Sequence, residues 1–327
     1  MATRGDLRLQ AWVLAIGAGL MAAKFLAWYL THSNAILSDA LESIVNVVAG
    51  VFALYSLFLA AKPRDREHPY GHGKVEFISA GAEGSLVAIA GGIIIARAVQ
   101  ALLAGHEVHA SNEGILLVVG AGGANLLMGL VLRGRGRRSH SLTLEASGIH
   151  LMSDAWSTGA MLVGLLLVRF TGRMWLDGAF ALGFGVFIIV QGLRMVRRSV
   201  GGIMDETDMA VADGLVRVLE EHRVPTWIDV HNFRVITFGR TLHIDCHVTL
   251  PYYWTLEQSH DAIAAIDHLL NEKGGRDTEL FIHMDPCVEA SCSICQLADC
   301  PVRRRPFVQR VPWTLDTALQ NKKHDAV

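Results

Sequence analysis

Six runs of apolar residues, each long enough to cross a bilayer, constrain this chain more than any other feature of its sequence. An α-helix rises about 1.5 Å per residue, so about 20 apolar residues cross a hydrocarbon layer ~30 Å thick. The runs occupy residues 11–31, 35–61, 78–104, 113–133, 143–168 and 175–197. Hydrophobic residues make up 51% of the chain and charged residues only 18%, which is typical of a membrane protein. We predict a membrane-embedded all-α domain of six helices over residues 9–204.

Basic residues gather in alternate loops between these runs. They are Arg4, Arg8, Lys62, Arg64, Arg66, Lys74, Arg133, Arg135, Arg137, Arg138, Arg194, Arg197 and Arg198. Because basic loops face the cytoplasm, we expect a multi-pass protein of the cell (inner) membrane, surrounded by the lipid bilayer, with both termini cytoplasmic. The net charge of −2 provides no basic field, which excludes nucleic acid as a partner.

The pattern after residue 204 is that of a soluble α+β domain. Helical periodicity covers 208–222 and 256–272, and extended segments cover 227–238, 241–250 and 279–283. In the second strand, every other residue from Leu242 to Leu250 is apolar, which predicts one buried face and one wet face. The order α-β-β-α-β predicts a cytoplasmic domain over residues 205–286, similar to the ferredoxin-like fold of metallochaperones, followed by a Cys-rich tail over 287–327.

Polar residues interrupt two of the apolar runs at helical spacing. His150 and Asp154 lie four residues apart in the fifth run, and Glu42 and Asn46 lie four apart in the second. Each pair shares one helix face, and a charge inside a bilayer costs about 2.5–3.5 kcal/mol even on lenient scales. These donors suit a divalent ion in a tetrahedral shell; the alternative is a hydrogen-bonded cluster that only joins two helices.

Other charged residues also lie within the apolar runs. Asp39 precedes Glu42 by one turn and is either a further ligand or a group at the helix start. Lys24, Glu83 and Arg97 have no function that the sequence identifies.

The loop between the second and third runs carries a second set of candidate metal ligands. Asp65, His68 and His72 place three potential ligands within eight residues. This spacing is sufficient for a surface metal site, and a solvated loop is the alternative. In the soluble half, histidines and one aspartate lie on neighbouring strands and a facing helix, which favours a metal site there. They are His231, His247, His260, His283 and Asp285.

Four cysteines follow the last strand at Cys287, Cys292, Cys295 and Cys300. In the reducing cytoplasm they need not form disulfides, and their spacing favours a Zn²⁺ knuckle. Uncoordinated redox-sensitive thiols are one alternative. An iron–sulfur cluster is another, because the first three match the spacing of plant-type ligands, although the fourth is too close for that cluster type.

The chain resembles the cation diffusion facilitator family, proton-coupled exporters of divalent metals that are built as homodimers. The resemblance covers residues 9–287 and includes His150-x3-Asp154. Its other motifs are Ser38-Asp39-Ala40-Leu41-Glu42-Ser43, His68-Pro69-Tyr70-Gly71-His72-Gly73-Lys74-Val75-Glu76 and His283-Met284-Asp285-Pro286-Cys287. It implies a transport site at Glu42, Asn46, His150 and Asp154, a loop site at Asp65, His68 and His72, and a binuclear site at His231, His247, His260, His283 and Asp285. At the position of Glu42 the family usually has His or Asp. At the position of Asn46 it usually has Asp.

By this resemblance the protein is a metal/proton antiporter and not an enzyme. We expect Zn²⁺ as the transported ion, with Fe²⁺, Cd²⁺, Co²⁺ and Mn²⁺ as alternatives, and His150 as the group at which metal and proton compete. The divalent metal serves as substrate and as a regulatory ligand of the soluble domain, and no prosthetic group is expected. A membrane metal sensor and an intramembrane metalloenzyme are rival functions, but no His-Glu-x-x-His motif occurs in the chain.

Overall fold

The computed structural model describes residues 4–31, 34–104, 112–172 and 175–326. It divides into two compact units between Met204 and Asp205. The first unit contains the helices α1 Arg4–Thr31, α2 Asn34–Ala60, α3 Val75–Ala104, α4 Asn112–Ser139, α5 Leu142–Thr171 and α6 Trp175–Ile203. The prediction of a helical transmembrane domain is confirmed. Several helices extend beyond the apolar runs; α4, for example, continues through the arginines that follow residue 133.

Within the described ranges, four stretches are long and apolar enough to cross a membrane by themselves. They are Arg4–Leu30, Ser43–Ala60, Val75–Gln100 and Gly178–Ile203. Helix α5 is 30 residues long but carries Glu145, His150 and Asp154, which lower its apolar character. It contacts α2, α3, α4 and α6, so these helices shield its polar face from lipid.

Helices α3 and α6 approach so closely that their backbones nearly touch. A Cβ atom added at Gly192 would lie 2.6 Å from the carbonyl oxygen of Gly84 and 2.6 Å from the amide nitrogen of Ala88. A Cβ added at Gly91 would lie 2.9 Å from the carbonyl oxygen of Gly185. Small residues permit this spacing in membranes, where close packing replaces the hydrophobic effect as the force between helices. The two helices therefore form one tightly packed pair.

The second unit has the predicted order α-β-β-α-β. Its elements are α7 Met209–Glu221, β1 Asp229–Phe238, β2 Thr241–Leu250, α8 Leu256–Lys273 and β3 Thr278–Pro286. Strands β1 and β2 pair in antiparallel orientation, and β2 and β3 pair in parallel. Asp208 caps the start of α7, and Thr255 begins α8 with a capping box, so both helices start at residues that satisfy their free N–H groups.

Both helices cover the apolar face of the sheet. Leu215 and Leu219 of α7 and Leu270 of α8 are fully buried in one cluster with the apolar residues of the strands. Alternate residues of β2 belong to that cluster, as the sequence pattern predicts. They are Leu242, Ile244, Cys246, Val248 and Leu250.

The other face of β2 is not exposed to solvent along its whole length, so the prediction of one wet face was wrong in part. Thr249 is 0% exposed and His243 is 3% exposed. His243 packs against the ring of Phe238, with 4.8 Å between ring centroids. Thr249 lies opposite Asp229 of β1, which accepts hydrogen bonds from the backbone N–H and the ring of His324 in the C-terminal tail. The alternation of strand residues does not reveal this cover, because it comes from a segment far away in the chain.

The tail itself is folded onto the second unit. It contains a short 3-10 helix, Ala290–Ser293, and a single-turn helix, α9 Leu315–Ala318. Trp313 is buried in the main core, and the guanidinium of Arg223 lies 3.9 Å from the centre of its ring.

The close contact between α3 and α6 predicts that Gly192→Ala destabilises the protein, whereas Gly92→Ala does not. Both substitutions replace a helical glycine with alanine and gain up to about 1 kcal/mol of helix propensity. At Gly192 the new methyl group meets backbone atoms and should cost about 1–3 kcal/mol, whereas at Gly92 nothing lies within 4 Å. Thermal unfolding in detergent measures the difference, and equal melting temperatures for the two variants would contradict it.

Candidate metal centres

Helices α2 and α5 bring three of the predicted ligands together inside the membrane unit. Asn46 donates from Nδ2 to Asp154 Oδ2 at 2.7 Å, and His150 Nε2 lies 3.0 Å from Asn46 Oδ1. His150 Nε2 is also 3.9 Å from Asp154 Oδ2. The Asn46 amide therefore joins the imidazole to the carboxylate. Asp39 and Glu42 lie on α2, but their side chains are outside the described part of the structure.

A cavity in the helix bundle lies beside these residues. It has room for several water molecules, about 60 Å³, and its lining includes Asn46 and His150. Lys24 and Glu83, which the sequence left without a function, line the same cavity. Lys24 donates to Ser43 Oγ at 3.0 Å, and Ser147 donates to Glu83 Oε1 at 2.8 Å. Arg97, by contrast, is exposed on the helix surface.

Glu83 is the residue of this region that sequence reasoning underestimated. It is 2% exposed, and its Oε2 atom has no hydrogen-bond partner among the described residues. The sequence signal that points to Glu83 is the position of a charged residue within an apolar run, two turns after Glu76 at the start of α3. The run alone could not show that Glu83 faces the cavity that His150 also lines.

The loop between α2 and α3 forms a compact three-residue set. His68 Nδ1 lies 3.0 Å and His72 Nε2 3.4 Å from opposite oxygens of Asp65, and one donor atom from each residue lies within 4.8 Å of the others. The backbone N–H of His68 donates to Asp65 at 2.7 Å. That bond and the neighbouring imidazoles hold the pKa of Asp65 below its usual value, although partial desolvation opposes them. Gly71, with a φ of 90°, makes the turn that brings His72 back to Asp65.

The sheet forms a second compact set from one residue of each strand. His231 Nε2 and His247 Nδ1 each lie 3.2 Å from the same oxygen, Oδ2 of Asp285. The register places His247 directly opposite His283, with ring centroids 4.6 Å apart. His260 lies on α8, is exposed and is not part of this compact set.

Asp229 contacts His231, one member of this set. Its Oδ2 lies 3.3 Å from His231 Nδ1, on the side of the ring opposite Asp285. Burial would raise the pKa of Asp229, but the adjacent His231 and the two hydrogen bonds from His324 lower it below its usual value. A carboxylate behind a ligating imidazole fixes its orientation and raises its basicity. Lys323 is close as well, with Nζ 3.8 Å from Asp285 Oδ1.

The four cysteines of the tail surround a single cavity of about 360 Å³. Burial raises the pKa of the Cys287 thiol, and the nearby thiols of Cys295, Cys292 and Cys300 raise it further. Tyr253 lies at the same cavity, and burial together with the thiol of Cys300 raises its pKa. The cysteines are therefore close enough to influence one another electrostatically. Cys246, in contrast, lies in the hydrophobic core of the sheet.

Comparison with known proteins places both units in one family. Residues 10–204 match a family model described as the cation efflux transmembrane domain, and residues 213–287 match the cytoplasmic domain of cation efflux proteins. An uncharacterised transporter of Synechocystis is 34% identical over 281 residues, covering 84% of this chain and 89% of the relative. The cation-efflux pumps FieF of Cronobacter sakazakii and Yersinia pestis are 29% and 28% identical, over 82% and 84% of this chain and 88% and 90% of their own length.

The environment of Asp229 predicts a pH-dependent loss of stability in Asp229→Asn. A group whose pKa is lower in the folded state stabilises the fold above its unfolded pKa and loses that contribution as the pH falls through its folded value. We expect Asp229→Asn to cost about 1–3 kcal/mol at pH 7 and progressively less below about pH 4. Urea unfolding of residues 205–327 at both pH values measures this, with the exposed Asp261→Asn as the control. A cost that is independent of pH would show that the charge of Asp229 is not involved.

Proposed function

Because the chain belongs to the cation diffusion facilitator family, we propose that it is a secondary transporter that exports divalent metal ions from the cytoplasm in exchange for protons. The observation that carries this proposal is the hydrogen-bonded group of Asn46, His150 and Asp154 on two apolar helices. An imidazole and a carboxylate one turn apart on α5 face an amide on α2. These are ligands for a divalent ion in a region of the protein where ionisable groups are costly.

The contacts within this group explain how metal and proton would be exchanged. In the Nε2–H or doubly protonated form, His150 donates to Asn46 Oδ1, while the amide nitrogen of Asn46 donates to Asp154. A metal ion that binds to a ring nitrogen requires that nitrogen to be deprotonated. Loading the ion therefore releases a proton from His150 or prevents its uptake, and protonation on the opposite side favours release of the metal. Asn46 can supply an oxygen to the ion but cannot carry a proton.

The cavity supports a route by which the ion reaches the site. It is lined by polar side chains as well as apolar ones, and it has room for water next to His150. A divalent ion loses its hydration shell reluctantly, so a wet approach lined with oxygen and nitrogen atoms lowers the free-energy cost of reaching the ligands. Glu83 provides carboxyl oxygens at this approach. We propose that they interact with the incoming cation.

The donor set favours Zn²⁺ as the transported ion. One imidazole with carboxylate and amide oxygens suits a borderline ion in a tetrahedral shell, and the absence of thiolates from the proposed transport-site ligand set disfavours Cu(I). Fe²⁺, Cd²⁺, Co²⁺ and Mn²⁺ are the competitors. Uptake of each ion into vesicles in the presence of the others would rank them directly.

We place the protein in the cell (inner) membrane as a homodimer with both termini in the cytoplasm. The arginines in the C-terminal parts of α4 and α6 support this orientation, and Arg135 of α4 donates to the buried Asp6 of α1 at 2.6 Å. In the proposed dimer, metal bound by His231, His247 and Asp285 would act as a regulatory ligand that strengthens association of the cytoplasmic domains.

The transport proposal predicts that Asp154→Ala abolishes metal-driven proton release from sealed vesicles. The variant removes one of the two ionisable groups that α5 contributes to this hydrogen-bonded group, so both metal binding and coupling should be lost. The protein should remain folded and dimeric by size-exclusion chromatography. A rate above half of the wild-type value would contradict the site assignment, and metal binding without any flux in the wild type would favour a sensor.

A companion variant, Asn46→Asp, tests the part of the site that departs from the family pattern. The new carboxylate binds metal more strongly but also binds protons, so the gain in affinity should be larger at pH 8 than at pH 6. Turnover should fall because release becomes slower. Unchanged affinity at both pH values would show that Asn46 does not contact the ion.

The regulatory proposal predicts that Zn²⁺ strengthens self-association of residues 205–327 and that Asp285→Asn removes this effect. Asp285 is the carboxylate that both histidines approach, so its neutralisation should weaken metal binding by about 10–100-fold or more. Sedimentation equilibrium with and without Zn²⁺ measures association. His268→Gln, which alters an exposed histidine on α8, is the matched control and should behave as the wild type.

A further inference from the structure

The four tail cysteines form a site that metal export does not use. Cys287 begins the segment that follows β3, Cys292 lies in the 3-10 helix Ala290–Ser293, and Cys295 and Cys300 lie on the loop that continues from it. All four line the cavity of about 360 Å³, together with Tyr252 and Tyr253. The cavity lies within the second unit and is separate from the His231–Asp285 set.

The spacing of the thiols is wider than a single zinc ion requires. Zn²⁺ binds thiolates at about 2.3 Å, which places tetrahedrally arranged sulfurs about 3.8 Å apart. Among the described residues, the groups with three donor atoms within 4.8 Å of one another are the loop set and the sheet set. No three of the tail thiols meet that limit, although all four lie in the described part of the chain. Four thiols around a cavity of this size leave room for a group larger than one ion.

We propose that Cys287, Cys292, Cys295 and Cys300 bind an iron–sulfur cluster of the [4Fe–4S] type. In such a cluster each thiolate binds a different iron, so the four sulfurs stand further apart than they do around one ion. A four-iron cluster can take all of its ligands from one short loop, and it does not need the distant fourth cysteine of the plant-type spacing. The Zn²⁺ knuckle favoured by the sequence spacing is replaced by this assignment, as is the expectation that the protein has no prosthetic group.

The surroundings of the thiols suit an anionic cluster. Arg303 and Arg304 both line the cavity, and a cluster with four thiolates carries net negative charge. The guanidinium of Arg303 is fixed in place because it donates to the backbone carbonyls of Cys292, Cys295 and Leu297, at 3.2, 3.1 and 2.5 Å. The backbone N–H of Tyr252 donates to the sulfur of Cys287. Backbone N–H groups directed at cysteine sulfur are among the features that tune such clusters.

A bound cluster would also stabilise the segment, because the segment has little core of its own. Between Pro286 and α9 its regular structure in the described residues is one 3-10 turn, and apart from Trp313, which joins the main core, its buried apolar residues are Ile294 and Cys295, which cluster with Ile228. Ser293 helps to hold the loop, since its carbonyl accepts from Val308 at 2.8 Å and its hydroxyl accepts from Ala326 at 3.1 Å. Irregular segments with so little apolar burial are commonly stabilised by metal sites.

The test is iron and acid-labile sulfide analysis of the full-length protein purified without oxygen. We expect about four iron and four sulfide per chain, a broad visible absorption, and an electron paramagnetic resonance signal on reduction with dithionite. Sulfide distinguishes the cluster from iron bound at the histidine and carboxylate sites, and a chelator wash removes only the latter. Cys295→Ser should lose sulfide and visible absorption, whereas Cys246→Ala, in the hydrophobic core, should keep both.

The wild-type measurement decides the proposal even if a cysteine variant fails to fold. One zinc per chain without sulfide would overturn it in favour of a zinc site. Protein without bound metal, and with four tail thiols that alkylate readily, would overturn it in favour of free thiols. The proposal does not depend on metal export, since a protein inactive in vesicles would still carry the cluster.

Discussion

Polar groups inside an apolar helix bundle must satisfy one another, because the bilayer offers them no hydrogen bonds. In this protein the Asn46 amide forms hydrogen bonds with both ionisable side chains. It donates to Asp154 and accepts from His150. A carboxylate at the same position could not donate to Asp154 without carrying a proton. The neutral amide therefore holds the two ionisable side chains together and limits the number of charges that the membrane unit must bury.

The two halves of the chain assemble their proposed metal ligands in different ways. In the membrane unit, candidate ligands from α2 and α5 meet through helix packing, and the glycines of α3 and α6 make a second, closely packed helix pair. Such a pair resists separation, because separating the helices would lose the close contacts between their backbones. In the soluble unit, strand register alone places His247 opposite His283 and brings Asp285 to His231. Local periodicity thus determines which residues share one face of a helix or strand, and the packing between elements determines whether those residues come into contact.

This difference explains how much of the fold and of the candidate sites could be predicted from the sequence. The apolar runs, the α-β-β-α-β order and the shared face of His150 and Asp154 follow from short-range periodicity, so they could be predicted. The burial of Thr249, the contact of Lys24 with Ser43 and the hydrogen bond of Glu83 with Ser147 depend on segments far apart in the chain. Cysteine spacing likewise gives the order of the thiols but not the size of the space between them, which sets what they can hold.

The return of the C-terminal tail to the sheet affects how this protein should be handled in the laboratory. His324 bonds to Asp229, the residue behind His231, and Lys323 lies 3.8 Å from Asp285. A polyhistidine tag added after residue 327 would follow His324 closely along the chain and offer competing imidazoles near the proposed sheet ligands. Metal affinities measured on such a fusion would describe the tag together with the protein, so purification handles belong at the other end of the chain or must be cleaved before titration.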